Sequence, residues 1–114
     1  MEETIGSIAV SDQILCSCVA NSTKKYPGVV ALDKDSAENA LDILSRDVSA
    51  AEGVRLTRKD GIPVIDVHVI IELGTQIPKL AWELQKIIRS DLKSITGQDI
   101  DDINIHIEGV NYKE

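Results

Sequence analysis

Aromatic side chains are nearly missing from this sequence: in 114 residues there is no phenylalanine, one tryptophan and two tyrosines. Any core must therefore be built from aliphatic residues. No apolar run is long enough to cross a bilayer, which takes ~20 residues. The longest, Val67 to Ile71, is interrupted by His68. The start, MEETIGSIAV, is acidic and lacks the basic-then-apolar order of an export signal. Cysteine is scarce too. Cys16 and Cys18 lie two apart in a helical pattern, so they point ~200° from each other and cannot pair. Two unpaired thiols without an export signal imply a reducing, cytoplasmic setting and no direct membrane insertion. A Cys-x-Cys metal site would need further soft ligands, and none lies nearby. Positive charge is in deficit as well, 12 basic against 19 acidic residues for a net charge of −7. That balance opposes nucleic acid as a partner, because phosphate binding needs a positive field.

The best-marked stretch runs from Asp60 to Val110. After the Asp60-Gly61 turn signal, the alternation of IPVIDVHVIIE predicts a strand. Ile65, Val67, Val69, Ile71 and Leu73 share one face, and Val64, Asp66, His68, Ile70 and Glu72 the other. Gly74-Thr75 ends the strand. Pro78 suits the first turn of a helix, whose N–H groups lack helical partners anyway. The helix then continues to Gly97, a left-handed cap. A second strand follows with Ile103, Ile105 and Ile107 inward and Asp102, Asn104, His106 and Glu108 outward.

Earlier in the chain, Thr4–Val10 reads as a short strand. Ser11 caps a helix over DQILCSCVANSTKKY, whose apolar stripe is Ile14, Leu15, Cys18 and Val19, leaving Cys16 toward solvent. Pro27-Gly28 stops that helix and Gly28–Leu32 forms a strand. A helix over Ala37–Asp47, capped by Ser36, reads as a mobile excursion, with 48–53 its weakly patterned exit. Val54–Arg58 returns through Lys59-Asp60-Gly61 as a hairpin, with Pro63 near a strand start or on an edge. The order β-α-β-(α)-β-β-α-β predicts one α+β domain over residues 1–114. It is a two-layer sandwich with a mixed or mostly antiparallel sheet and two main amphipathic helices on one face.

Catalytic signatures are absent. There is no glycine-rich phosphate loop, no His-Glu-x-x-His and no Gly-x-Ser-x-Gly, so the sequence points to a non-enzyme without a cofactor. Two features stand out instead. His68 and His106 take equivalent outward positions on the strands flanking the long helix. In the right register their imidazoles meet among Asp66, Asn104 and Glu108, a weak metal or small-molecule site; otherwise they belong to a solvated polar face. On the long helix, a stripe centred on Leu84 gathers Ile77, Leu80, Ala81, Ile87, Ile88 and Ile95 within about 60°. Asp91 falls inside this stripe. Trp82 falls at ~160°, beside Lys79, Lys86, Arg89 and Lys93. An aromatic among cations fits a partner-binding stripe. The opposing reading covers Trp82 with a lysine stem or the loop after Leu32.

The segments KKYPGVVAL, GVRL, DGIPVIDVHVIIELGTQIPKLAWELQKIIRSDLKSITG and INIHIEGV resemble the bacterial alkaline shock protein family over nearly the whole chain. The most telling pieces are the Gly-x-x-Ile-Pro step from Gly74 to Pro78, Thr96-Gly97, and the closing Ile-x-Ile-x-Ile-x-Gly-Val. Between Asp33 and Gly53 the sequence departs from that pattern, where many relatives are richer in glycine. The resemblance implies a non-enzymatic cytoplasmic protein of the general or envelope stress response in Gram-positive bacteria. It would act by self-association or by docking to a protein partner, in some members one anchored at the membrane, and the family offers no catalytic residues to carry over. The alternative is a regulator acting on nucleic acid or its readers through the four-cation stripe.

Overall fold

The computed structural model describes residues 10–34 and 48–111. The expected helix over 37–47 lies outside them, as does the expected strand at 4–10 except for Val10, which is not in a strand. The elements are α1 (Asp12–Lys24), β1 (Val29–Leu32), β2 (Val48–Ala51), β3 (Val54–Lys59), β4 (Ile62–Glu72), α2 (Ile77–Thr96) and β5 (Asp102–Asn111). This is the expected α+β arrangement, with both helices and the sheet contributing to one aliphatic core.

β4 organises the sheet. Its first half pairs antiparallel with β3, from Lys59↔Ile62 to Val54↔Val67. Its second half pairs antiparallel with β1, from Leu32↔Val69 to Val29↔Ile71. β5 pairs in parallel with β4 from Val64↔Asp102 to Glu72↔Asn111. Since both sets of partners overlap β5, β3 and β1 must share the other edge of β4, end to end. They meet at His68, whose N–H donates to Gly53 at 3.0 Å and whose carbonyl accepts from Asp33 at 2.9 Å. Pro63 precedes the start of pairing with β5 at Val64, where its missing N–H costs no bond on that side.

Two-residue turns join β2 to β3 and β3 to β4. Glu52-Gly53 has φ values of 52° and 93°, and Asp60-Gly61 has 54° and 81°, the paired positive φ that suits the right-handed twist of a hairpin. The first hairpin corrects the reading of 48–53 as an unpatterned exit: Val48–Ala51 is a strand paired with Val54–Thr57. Its small, uniformly half-buried residues lack the alternation by which strands are recognised.

β2 also rotates α1. The buried residues of α1 are Leu15, Cys16, Val19, Ala20 and Thr23, whereas Ile14 is exposed and Cys18 half-buried. The expected assignment of the two cysteines is thus reversed. Cys16 lies under β2, its Sγ 3.7 Å from the Ser49 carbonyl, a cover that the helix's own periodicity cannot reveal. Thr23 is buried without penalty because its hydroxyl donates to the Val19 carbonyl at 2.8 Å.

On α2 the core row is Leu80, Leu84, Ile88 and Leu92. The expected stripe included Ile77, Ile87 and Ile95, which are exposed, and omitted Leu92. Burial follows an i, i+4 ridge, which drifts ~40° per step around the helix, because ridges rather than axis-parallel lines pack against a neighbour. Asp91 is half-buried on the side facing α1, where it accepts the Ser22 hydroxyl. Tyr26 donates to Glu83 one ridge position before Ile87. At its end α2 closes on Gly97 (φ 76°), whose N–H donates to Lys93.

Candidate functional site

Two surfaces gather the candidate residues. The first is the outer face of the sheet. Parallel pairing sets His68 directly beside His106, and their rings stack with centroids 4.5 Å apart and planes 11° from parallel. Each imidazole also holds a carboxylate. His106 Nε2 lies 2.8 Å from Asp66 Oδ1, and His68 Nδ1 lies 2.7 Å from Glu108 Oε2. Asn104 donates to the same Asp66 oxygen at 3.2 Å.

Strand alternation puts Asp66, His68, Asn104, His106 and Glu108 on this face. The register moves from Val69↔Ile107 to Ile70↔Gly109, so Glu108 is the extra residue of a bulge beside the two imidazoles. The His68 side chain is 12% exposed and that of His106 42%. They border a depression of about 390 Å³ that Arg55, Thr57, Lys59 and Asn104 help to line. The ligand atoms of His68, His106 and Glu108 all lie within 4.8 Å of one another. Donors of this type suit a divalent metal; without one, the pairs act as a hydrogen-bonded polar network on the sheet.

The second surface is the outer face of α2. Trp82 is 59% exposed, and the Lys86 ammonium sits over its indole, 4.3 Å from the ring centroid. Of the two covers expected for Trp82, a lysine does lie over one face of the ring but leaves most of the side chain exposed, and the loop after Leu32 falls largely outside the described residues. The cations of the stripe are not equivalent. Lys93 pairs with Asp99 at 3.2 Å, and Arg89 approaches Asp101, carboxylate at 3.8 Å and carbonyl at 3.5 Å. Lys79 lies a turn away, beside the cleft formed with Tyr26 and Thr75. The sequence reading missed these acidic partners, although the run Asp99, Asp101, Asp102 just after the helix signalled a counter-charge.

Electrostatics elsewhere are local. Burial, reinforced by Asp12, pushes the Cys16 thiol up to about 12, so it behaves as a small core residue and not as a nucleophile. Among the described residues, no helix is long and apolar enough to cross a membrane.

The sequence model of the alkaline shock protein 23 family, described by a cell envelope-related function, matches residues 1–112. Among individual proteins, the chain is 26% identical over 108 residues to the uncharacterized protein YqhY of Bacillus subtilis, covering 95% of this chain and 79% of that one. It is 28% identical over 109 residues to the uncharacterized protein Spy1535 of Streptococcus pyogenes, with coverages of 95% and 81%. YloU of Bacillus subtilis, also uncharacterized, is 24% identical over 107 residues, with coverages of 92% and 88%. No solved structure is matched.

Proposed function

The chain belongs to the alkaline shock protein 23 family, whose function is cell envelope-related, and on that premise we propose that it is a non-catalytic interaction module of the envelope stress response. It docks through the outer face of α2, to a second copy or to a membrane-linked protein. The observation that carries this reading is Trp82, 59% exposed on a regular helix and held in place by Lys86. A rigid aromatic with an amphipathic rim is the usual form of an interface anchor. Ile87 is exposed one ridge away and adds apolar area. The non-catalytic part rests on the family description, which indicates no reaction.

Nucleic acid is a poorer occupant of the same stripe. Arg89 and Lys93 already face Asp101 and Asp99, so fewer cations than the sequence counts would meet phosphates, against a net charge of −7.

The test places a photoreactive residue in cells at the exposed Ser90, one turn beyond Lys86 on α2. It is combined with light scattering on purified chain up to ~0.2 mM, where even weak self-association is seen. The expected result is a cross-link to the same chain or to a membrane protein that Trp82→Ala abolishes. A monomer over that range that cross-links to nothing, or links that persist in Trp82→Ala, would overturn the proposal.

A further inference from the structure

We propose that the outer sheet face binds one divalent first-row transition ion, of the Zn²⁺ class, through His68, His106 and Glu108, with Asp66 orienting His106. The inference is independent of the α2 surface, which lies on the other side of the sheet from these outward residues.

The donor set selects the class of ion. Two imidazoles and one carboxylate suit Zn²⁺, Cu²⁺, Ni²⁺ or Co²⁺, whereas Mg²⁺ and Ca²⁺ prefer oxygen alone and Cu⁺ prefers sulfur. Neither thiol shares this face, since both lie on α1, which packs into the core on the opposite side of the sheet. Three protein ligands leave one coordination position open toward the depression of about 390 Å³, so a water molecule can complete a tetrahedron.

The geometry is close to that of a bound state. Tetrahedral ligands with bonds of ~2.0–2.1 Å stand roughly 3.3 Å apart. One nitrogen of each imidazole and one Glu108 oxygen already lie within 4.8 Å of one another, and side-chain torsions alone can close the difference. His68 Nδ1 and Glu108 Oε2 are 2.7 Å apart. An ion between them replaces that hydrogen bond, and the His68 ring proton is then carried on Nε2. An ion lies in the plane of each imidazole that holds it, so two rings only 11° from parallel must open like a book to share it. Binding should therefore turn the rings while leaving the ladder untouched.

The supports are in place before the ion arrives. The His106 Nε2 contact to Asp66 at 2.8 Å leaves the other ring nitrogen to ligate, the carboxylate–histidine arrangement that fixes a metal-bound imidazole. Asn104 in turn holds Asp66. The backbone of His68 is pinned between Gly53 and Asp33, and Glu108 already touches the His68 ring. A merely solvated face would require none of these to coincide at one paired position.

The experiment is calorimetric titration of the chelator-treated full chain with ZnCl₂, repeated on His68→Gln, His106→Ala, Glu108→Gln and Asp66→Asn, with circular dichroism confirming the fold of each. One ion per chain is expected with Kd below ~100 µM, weakened at least about tenfold by each of the three ligand substitutions and by Asp66→Asn, with MgCl₂ giving no heat. Co²⁺ should give the intense visible absorption of a four-coordinate site. No saturable binding below that concentration, a stoichiometry other than one, or a smaller loss in any folded ligand variant would overturn the site. If the ligand variants lose binding and Asp66→Asn does not, the orienting role of Asp66 falls.

Discussion

Arg58, near the end of β3, grips Asp12 in the first turn of α1 through two contacts, Nη2 to Oδ1 at 2.9 Å and Nε to Oδ2 at 3.0 Å. The fork fixes where the first helix meets the sheet, and it places a carboxylate at the positive end of the helix dipole.

That contact predicts a pH dependence. The Arg58 guanidinium holds the Asp12 carboxyl below the ordinary aspartate range, so the folded chain binds this proton less readily than the unfolded one. The stabilisation is complete above the unfolded pKa and disappears as pH falls through the folded one. Asp12→Asn should cost about 1 kcal/mol at pH 7, modest because both side chains are partly solvated. The urea curves of the two proteins should converge toward acid below the ordinary aspartate range. A difference that stays constant with pH would mean the charge contributes nothing.

The two cysteines should react very differently. Cys18 is half-buried, whereas Cys16 is 1% exposed with its thiol pushed up to about 12. Alkylation of native protein at pH 8 should modify Cys18 first. In a Cys18→Ser chain the remaining thiol should react only as fast as the protein opens. Rapid labelling of Cys16 would contradict its place beneath β2.

Two glycines in left-handed conformation separate backbone strain from crowding. Gly61 (φ +81°) has nothing within 4 Å of an added Cβ, while at Gly53 (φ +93°) that atom would stand 2.6 Å from Leu32 Cβ. Gly61→Ala should cost ~1–2 kcal/mol from conformation alone. Gly53→Ala adds a clash where β1 and β3 meet along β4, so its denaturation midpoint should fall clearly further. Equal losses would show that the junction yields easily.

On α2, Leu92→Ala should destabilise by ~2–5 kcal/mol, since its side chain is wholly buried. Ile95→Ala, at a position 42% exposed, should stay within about 0.5 kcal/mol. Thermal unfolding of the pair decides whether burial follows the Leu80–Leu92 ridge or the wheel-centred stripe.

Much of this fold could be read directly from residue order, because its signals are local. The alternation of β4 and β5, the Asp60-Gly61 turn, Pro78 and Gly97 at the ends of α2, and the two-layer class all depend on neighbours within a few positions. The outward placement of His68 and His106 follows from the same period of two, as does the placement of Trp82 away from the core from the period of 3.6. Other features depend on contacts across long sequence separations. β2 has no alternation, and its position over α1 decides that Cys16 is buried and Ile14 is not. The α2 wheel could not show that packing would follow a ridge, nor that Asp91 would find Ser22 on another helix. Asp99 and Asp101 claim Lys93 and Arg89 only once the chain turns back after Gly97. His68 and His106 stack only because β5 pairs with β4 in parallel and in one register, and the same pairing brings Glu108 against His68. In β4 and β5 the period of two decided which face each side chain takes, whereas on the helices the period of 3.6 placed the buried side only approximately. Only pairing and packing, which bring together residues up to 69 positions apart as in Ser22 and Asp91, decided which side chains meet there.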